Sequence, residues 1–490
     1  MSFGVDVMHL ICDNLSRLLY NLWDGRLPAG THAKAPDLAP GKLPAREHGP
    51  LERTDDTGDP DADPVAPVGP PAAERPAPRV PREAGPARTT KKARAKDPWV
   101  LTSKMWEEIG EDMRACRRRI PNQLGRAPRN IAKNSAGFKA TEWSLWLSLY
   151  SVPLLSGRLP DEYLANWEKV CEAYNMSIAF EITVDELTKI RRIFKEFVLE
   201  YERLYYQYDY NRMSACPSSI HMLLHVADCI EWLGPAWVFW VFAMERMNGM
   251  VVPKARSRSE LNKSLANAVL LDEQLKLFGY IRTTTPVFSM SVKPSPIHTC
   301  TYETPSGWFM KPEKLIQLSC TAHRHLVDYL QELDVRIKAD QVDKTVRAYK
   351  RFQLCEGGDL IGSYESQRKS DKTRASNIVL YTHDSDFGTE VFFGEVMLFA
   401  RPLVRRVYYP LAYIRCYGPA QLRRGRFFVV DTQPPGNLHE WVNIRQIKRV
   451  VGTLTTQPLI DELGGDAGKP AWIIDRETFA WNNAARLLID

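Results

Sequence analysis

Val391-Phe392-Phe393-Gly394-Glu395-Val396-Met397-Leu398-Phe399 is the stretch on which the fold class turns. Its aromatic and β-branched residues form a short apolar run, and a run of this length set between turn signals reads as a strand. Residues 378–381, 407–416, 427–431 and 441–450 have the same character. Turn residues separate them, among them Gly418-Pro419 and Pro434-Pro435-Gly436. From Ser376 onward the hydrophobic period is two rather than 3.6. Five such strands predict a small β-barrel-like domain over 376–455, followed by a C-terminal tail over 456–490.

Toward the N-terminus the period becomes helical. Residues 311–337 and 341–354 read as helices, giving a helical stretch over 311–360. Before it, Pro286, Pro294, Pro296 and Pro305 mark 285–310 as a linker. Residues 99–284 read as a helical domain. Its clearest helix starts at Thr183, with Glu186 three residues on in the capping-box pattern. Leu187, Ile190, Ile193, Phe194, Phe197, Val198, Tyr201, Leu204 and Tyr205 then mark one apolar face. A helix over 218–231 is broken by Gly234-Pro235, another passes through Trp240 and Glu245, and 258–278 is helical again. The apolar run 232–244, bounded by Glu231 and Glu245, is too short for a membrane span and reads as a buried turn and helix. No membrane partner is expected.

The N-terminal 23 residues read as one amphipathic helix, with Val7, Leu10, Ile11, Leu15, Leu18, Leu19 and Leu22 at three- and four-residue steps. Residues 31–98 differ in kind. They hold fourteen of the 34 prolines and no aromatic residue, a composition that cannot offset ordering entropy by burial. They are expected to be a disordered insertion. It ends in Lys91-Lys92-Ala93-Arg94-Ala95-Lys96, a nuclear-import or phosphate-binding string or simply a solvated charge run. The fold class expected is therefore α+β, a helical domain followed by a small β-barrel-like domain.

The whole chain has 490 residues and a net charge of +6, too mild to require a nucleic-acid partner. Nine cysteines without a C-x-x-C pair argue against a disulfide framework and a zinc ribbon. Cys320, His323 and His325 form only a weak C-x-x-H-x-H string. The basic run is more suggestive. Arg114, Arg117, Arg118, Arg119, Arg126, Arg129, Lys133 and Lys139 can neutralise phosphates without reading sequence, or can dock on acidic neighbours.

Three stretches resemble CACTA-type (En/Spm-like) transposases. Gly4-Val5-Asp6-Val7-Met8-His9-Leu10 is similar to the family's D-x-M-H string. Ile120-Pro121, Pro128-Arg129-Asn130 and Gly137-Phe138-Lys139-Ala140-Thr141-Glu142-Trp143 resemble its "IP…PRN…G-x-KA-x-EW" segment. Ile220-His221-Met222-Leu223-Leu224-His225, Leu233-Gly234-Pro235-Ala236-Trp237 and Phe242-Ala243-Met244-Glu245-Arg246 look like its "H-L-L-x-H…GP-x-W…F-ER" segment. Lys254, Arg256 and Arg258 follow as a basic string. More loosely, Phe393-Gly394-Glu395-Val396 and Trp441-Val442-Asn443-Ile444 resemble the small barrel of fungal members.

The resemblance implies an RNase H-like fold, of which 1–30 would be a remnant helix, and three carboxylates holding two Mg²⁺ or Mn²⁺ ions. It makes Glu245 the third carboxylate, and Asp6, His9 and Arg246 motif residues. The first two catalytic aspartates of the family precede the D-x-M-H string, and only five residues precede Asp6. The expectation is a truncated transposase-derived protein of the nucleus, bound to DNA non-specifically, inactive alone and without a cofactor of its own. His221, His225 and Asp228 share a helix face by their spacing, either as a site-facing stripe, as a zinc-like H-x-x-x-H, or as an ordinary polar face. The alternative function is a non-enzymatic interaction protein whose barrel binds a peptide or chromatin tail, with Tyr408, Tyr409, Tyr413 and Trp441 as cage or as core.

Overall fold

The computed structural model describes residues 4–26, 97–254, 260–281, 300–355, 358–366, 374–385, 388–436, 438–464 and 468–478, all within one compact unit. Most of the 31–98 insertion, including Lys91–Lys96, lies outside the described residues, as do Arg256 and Arg258. The protein is mixed helix and sheet, with a curled, half-barrel antiparallel sheet.

The helical half is organised around the N-terminal helix. It is π-helical over Met8–Leu15 and α-helical over Ser16–Trp23. The sequence pattern predicts one apolar face, yet Met8, Cys12, Ser16, Tyr20 and Trp23 are buried as well, so neighbours surround the helix. Trp23 donates from Nε1 to the Tyr205 hydroxyl at 2.9 Å and meets Trp167 edge-on at 5.3 Å. Around it pack Ser103–Cys116, Asp161–Ser177 and Val184–Tyr201. Thr183 caps the last of these reciprocally with Glu186, as its sequence predicts. The expected apolar face of that helix is buried from Ile190 to Tyr205.

The larger sheet has nine antiparallel strands. Cys300–Thr304, Gly307–Gln317, Thr345–Leu354, Gly388–Arg401, Ile378–Ser385 and Ile447–Val450 follow one another across it. Leu360–Gly362 pairs antiparallel with Thr345–Leu354, while Leu411–Cys416 pairs with Gly388–Arg401 and carries His439–Asn443. One face buries Phe309, Phe352, Val379, Val396, Phe399 and Val442. The other buries Leu411, Tyr413 and Trp441 beneath the Cys320–Leu333 helix.

The order of the 285–360 region differs from the sequence reading. Residues 300–310 are not linker: Cys300–Thr304 and Gly307–Gln317 form a hairpin, and Pro305 lies in its turn. Gly307 sits at φ 144°, where a Cβ would come within 2.0 Å of the Gln353 carbonyl oxygen, so only glycine lets Gly307–Gln317 close against Thr345–Leu354. Thr345–Leu354 is a strand rather than a helix. In ten residues, apolar groups at 346, 348, 349 and 352 satisfy either period. The β-branched and aromatic side chains and the pairing on two neighbouring strands decide for the sheet.

The second correction concerns the C-terminus. Residues 457–463 and 470–474 are not a tail. Gln457–Leu463 is a helix, and Pro470–Ile474 is an inner strand of a four-stranded sheet ordered Gln421–Arg423, Phe427–Asp431, Pro470–Ile474, Gly452–Leu454. Phe427, Val429, Leu454, Trp472 and Ile474 enter the core of the helical half. Val430 and Ile473, on the opposite face, join Ile378, Leu380 and Phe393 of the larger sheet. The β half is therefore not a separate domain on a linker; it shares a core with the helices. Arg424 and Arg426 reinforce the joint by pairing with Glu168 and Glu172, one turn apart on the Asp161–Ser177 helix.

Trp472→Ala should accordingly destabilise the whole protein by about 3–5 kcal/mol. Thermal unfolding followed separately by helical and tryptophan signals should show both shifting together.

Candidate functional site

Asp6 ties the N-terminal segment to the helix that carries Glu245. Its Oδ1 accepts from the backbone N–H of Met8 at 3.2 Å and of Val241 at 3.1 Å. Its Oδ2 accepts from the His9 N–H at 3.1 Å and lies 2.6 Å from His9 Nδ1. One carboxylate thus caps its own helix and holds the residue just before Phe242–Val251. The Val5 N–H donates to Cys229 Sγ at 3.3 Å beside it. Two stretches 235 residues apart in sequence are brought together here.

Glu245 lies in the first turn of Phe242–Val251, where its charge complements the positive end of the helix. Glu245 and Arg246 are both exposed. No residue of Phe242–Val251 is buried. Met244, Met250, Leu270, Leu271 and Leu275 are each more than half exposed on this helix and on Leu261–Ile281. The 232–244 run is only partly buried, against the expectation from its sequence: Ala236 is buried, but Trp232 is 62% and Val238 55% exposed. No single described helix is long and apolar enough to cross a membrane. Lys254 pairs with Asp272.

His221, His225 and Asp228 do form one cluster, across the junction of Ser218–Met222 with Val226–Leu233. The two Nε2 atoms are 3.3 Å apart, and Asp228 Oδ2 is 3.6 Å from His225 Nδ1. Arg191, a partner the sequence did not announce, donates to Asp228 at 3.0 Å and to Glu231 at 2.7 Å. In the Cys320 string, by contrast, the two histidines turn to different partners. His323 Nε2 lies 2.8 Å from the Val342 carbonyl, and His325 Nδ1 lies 3.2 Å from the Tyr413 hydroxyl. Among the described residues, no group of three or more His, Cys, Asp or Glu side chains is arranged to hold a metal ion.

The basic run divides. Arg129 grips Glu142 with two hydrogen bonds of 2.5 and 2.6 Å, and Arg126 stands 3.9 Å from the same carboxylate. Arg114 and Lys133 pair with Glu111 at 2.5 and 3.7 Å. Arg119 reaches into the β half, donating to Thr453 at 2.6 Å, Tyr417 at 3.1 Å and Glu395 at 3.3 Å. Arg374 returns the contact, donating to the carbonyls of Ile120, Pro121 and Gly125. The Arg118 carbonyl accepts from the Ala375 N–H. Arg119 and the Arg118 carbonyl thus belong to the seam between the two halves, whereas Arg114, Arg126, Arg129 and Lys133 pair inside the helical half. Arg117, Arg118 and Lys139 keep exposed side chains.

Of the proposed cage rings, Tyr413 and Trp441 belong to a buried core against which Tyr409 packs. Trp441 and Tyr413 are buried, 4.9 Å apart, and the Trp441 indole donates to the Ala322 carbonyl at 2.9 Å. Tyr408 instead lies over the Arg401 guanidinium, 4.4 Å from its ring centre.

No family model, curated protein or solved structure matches the chain.

Asp6→Ala should speed amide exchange at Val241 and the following turn, at a cost of about 1–2 kcal/mol, the range of a lost cap. Mass-spectrometric exchange over 236–251 measures this. Around Glu142, burial opposes the charge, but the Arg129 hydrogen bonds, the Lys139 amide and the nearby guanidinium charges outweigh it and hold the carboxyl below its ordinary range. That stabilisation is present above the unfolded carboxyl's titration and is lost as pH falls through the lower folded value. Arg129→Ala should therefore cost about 1–3 kcal/mol at neutral pH. Its deficit should narrow on acidification, as thermal melts across pH would show.

Proposed function

We propose that the protein is a transposase-derived, DNA-associated protein of the CACTA kind, with an RNase H-like ancestry and no strand-cleaving activity by itself. The observation that carries this reading is the Asp6–Val241 hydrogen bond. It brings the D-x-M-H-like string against the segment ending in Glu245-Arg246, the two ends of the stretch over which the resemblance runs. The uncovered apolar side chains of Phe242–Val251 and Leu261–Ile281 further support a surface that works against another body.

A two-metal phosphoryl-transfer site needs several converging carboxylates. In this reading Glu245 is one of the three, and Asp6 is committed to backbone amides. The alternative, a barrel that captures a peptide or chromatin tail, gains nothing from Tyr413 and Trp441, whose rings are core. DNA association in the nucleus would rest on phosphate contacts from the exposed part of the basic run.

The full chain should bind duplex DNA with little sequence preference and with an affinity that falls steeply with salt. Arg117→Ala combined with Lys139→Ala should flatten the slope of log affinity against log salt by about 2, one for each phosphate contact. Glu245→Gln should leave binding unchanged, and no nicking should appear with Mg²⁺ or Mn²⁺. Metal-dependent nicking that disappears in Glu245→Gln, or binding indifferent to salt, would overturn the proposal.

A further inference from the structure

We propose that His221 and His225 form a binding site for a borderline divalent cation of the Zn²⁺ class. The inference does not depend on the transposase reading. It starts from how the two imidazoles meet. Their ring centres are 5.1 Å apart and the planes are inclined at 72°, so the rings do not stack. They touch through their Nε2 atoms, 3.3 Å apart. Without an ion, this contact is made by one ring donating its Nε2–H to the lone pair of the other.

The same separation suits a metal. Two nitrogens at zinc–imidazole bond lengths of ~2.0–2.1 Å, at a tetrahedral angle, stand about 3.3–3.4 Å apart. An ion can therefore take the place of the shared proton, which passes by way of water to Nδ1 of the same ring so that both ligands remain neutral imidazoles, with little displacement of either ring. The site is accessible, with His221 exposed and His225 half-buried.

The surroundings favour the ligand role. Asp228 stands behind His225 on the Nδ1 side, at 3.6 Å. That separation is longer than a hydrogen bond; once closed to one, a carboxylate there orients a metal-bound imidazole and raises its basicity. Asp228 is itself held by Arg191, through hydrogen bonds of 3.0 and 3.4 Å from Nη2 and Nε. The support therefore comes from a different helix, Val184–Tyr201. With no third His, Cys, Asp or Glu in place among the described residues, water completes the shell. Nitrogen ligands select Zn²⁺, Ni²⁺ or Cu²⁺ over Mg²⁺, which prefers oxygen.

The test is calorimetric titration of ZnCl₂ into the full chain, free of any affinity tag and stripped of metal with a chelator. One saturable ion per chain is expected. His221→Ala and His225→Ala should each abolish it. Asp228→Asn should weaken it roughly 10–100-fold, as loss of an orienting carboxylate does. His323→Ala should leave it intact. Unchanged circular dichroism establishes that the variants fold. In the unsubstituted chain, selectively ¹⁵N-labelled histidine rings should show zinc-induced shifts at two of the ten histidines. Absence of saturable binding in the unsubstituted chain, or affinity unchanged by both histidine substitutions, would overturn the site.

Discussion

Phe427, Val429, Trp472 and Ile474 point one way from a four-stranded sheet, and Val430 and Ile473 point the other. Everything else in the molecule depends on that two-sided burial. A strand alternates its side chains between faces, and in Phe427–Asp431, Pro470–Ile474 and Gly452–Leu454 both faces are largely covered, while the edge strand Gln421–Arg423 meets water. The helices pack on one side and the half-barrel sheet on the other. The sheet is thus a shared wall rather than the surface of either half. Its hydrophobic strands resemble those of a sheet buried on both faces more than the alternating strands of a solvated one.

This wall explains the conduct of the charges around it. Arg119, Arg374, Arg424 and Arg426 all lie at the seam and reach carboxylates or carbonyls of the opposite half. Glu395 receives Arg119 at 3.3 Å and Arg415 at 2.6 Å, and Tyr417 donates to it at 2.9 Å. A buried carboxylate needs that many donors because its desolvation is costly. A cluster that reads in sequence as a phosphate-binding run is therefore partly a structural fastening. Arg117, Arg118 and Lys139 of the same run keep exposed side chains.

Much of the fold was legible because its signals are local. The Thr183–Glu186 cap, the apolar stripe that follows it and the strand at 427–431 each declare themselves within a few residues. Thr345–Leu354 was not legible, since its apolar positions fit two periods and only its partners on either side choose between them. Nor was Pro470–Ile474, because five residues near a chain end carry no period of their own. The site divides in the same way. The His221–His225 pairing follows from i, i+4 spacing. Arg191 behind Asp228 and the Asp6 bond to Val241 are contacts across 37 and 235 residues, which no short-range pattern encodes. Arg129 and Glu142 are nearer in sequence, but their pairing depends on how the intervening loop folds.

If the four-stranded sheet is a common wall, the helical and β halves must lose their structure together. Equilibrium denaturation of the full chain, followed by far-ultraviolet circular dichroism and by residue-resolved hydrogen exchange, tests this directly. The account predicts one cooperative transition. The slowest amides of Phe427–Asp431, Val184–Tyr201 and Gly388–Arg401 should open with the same free energy. Two separated transitions, with the half-barrel amides still protected after the helices have melted, would contradict it.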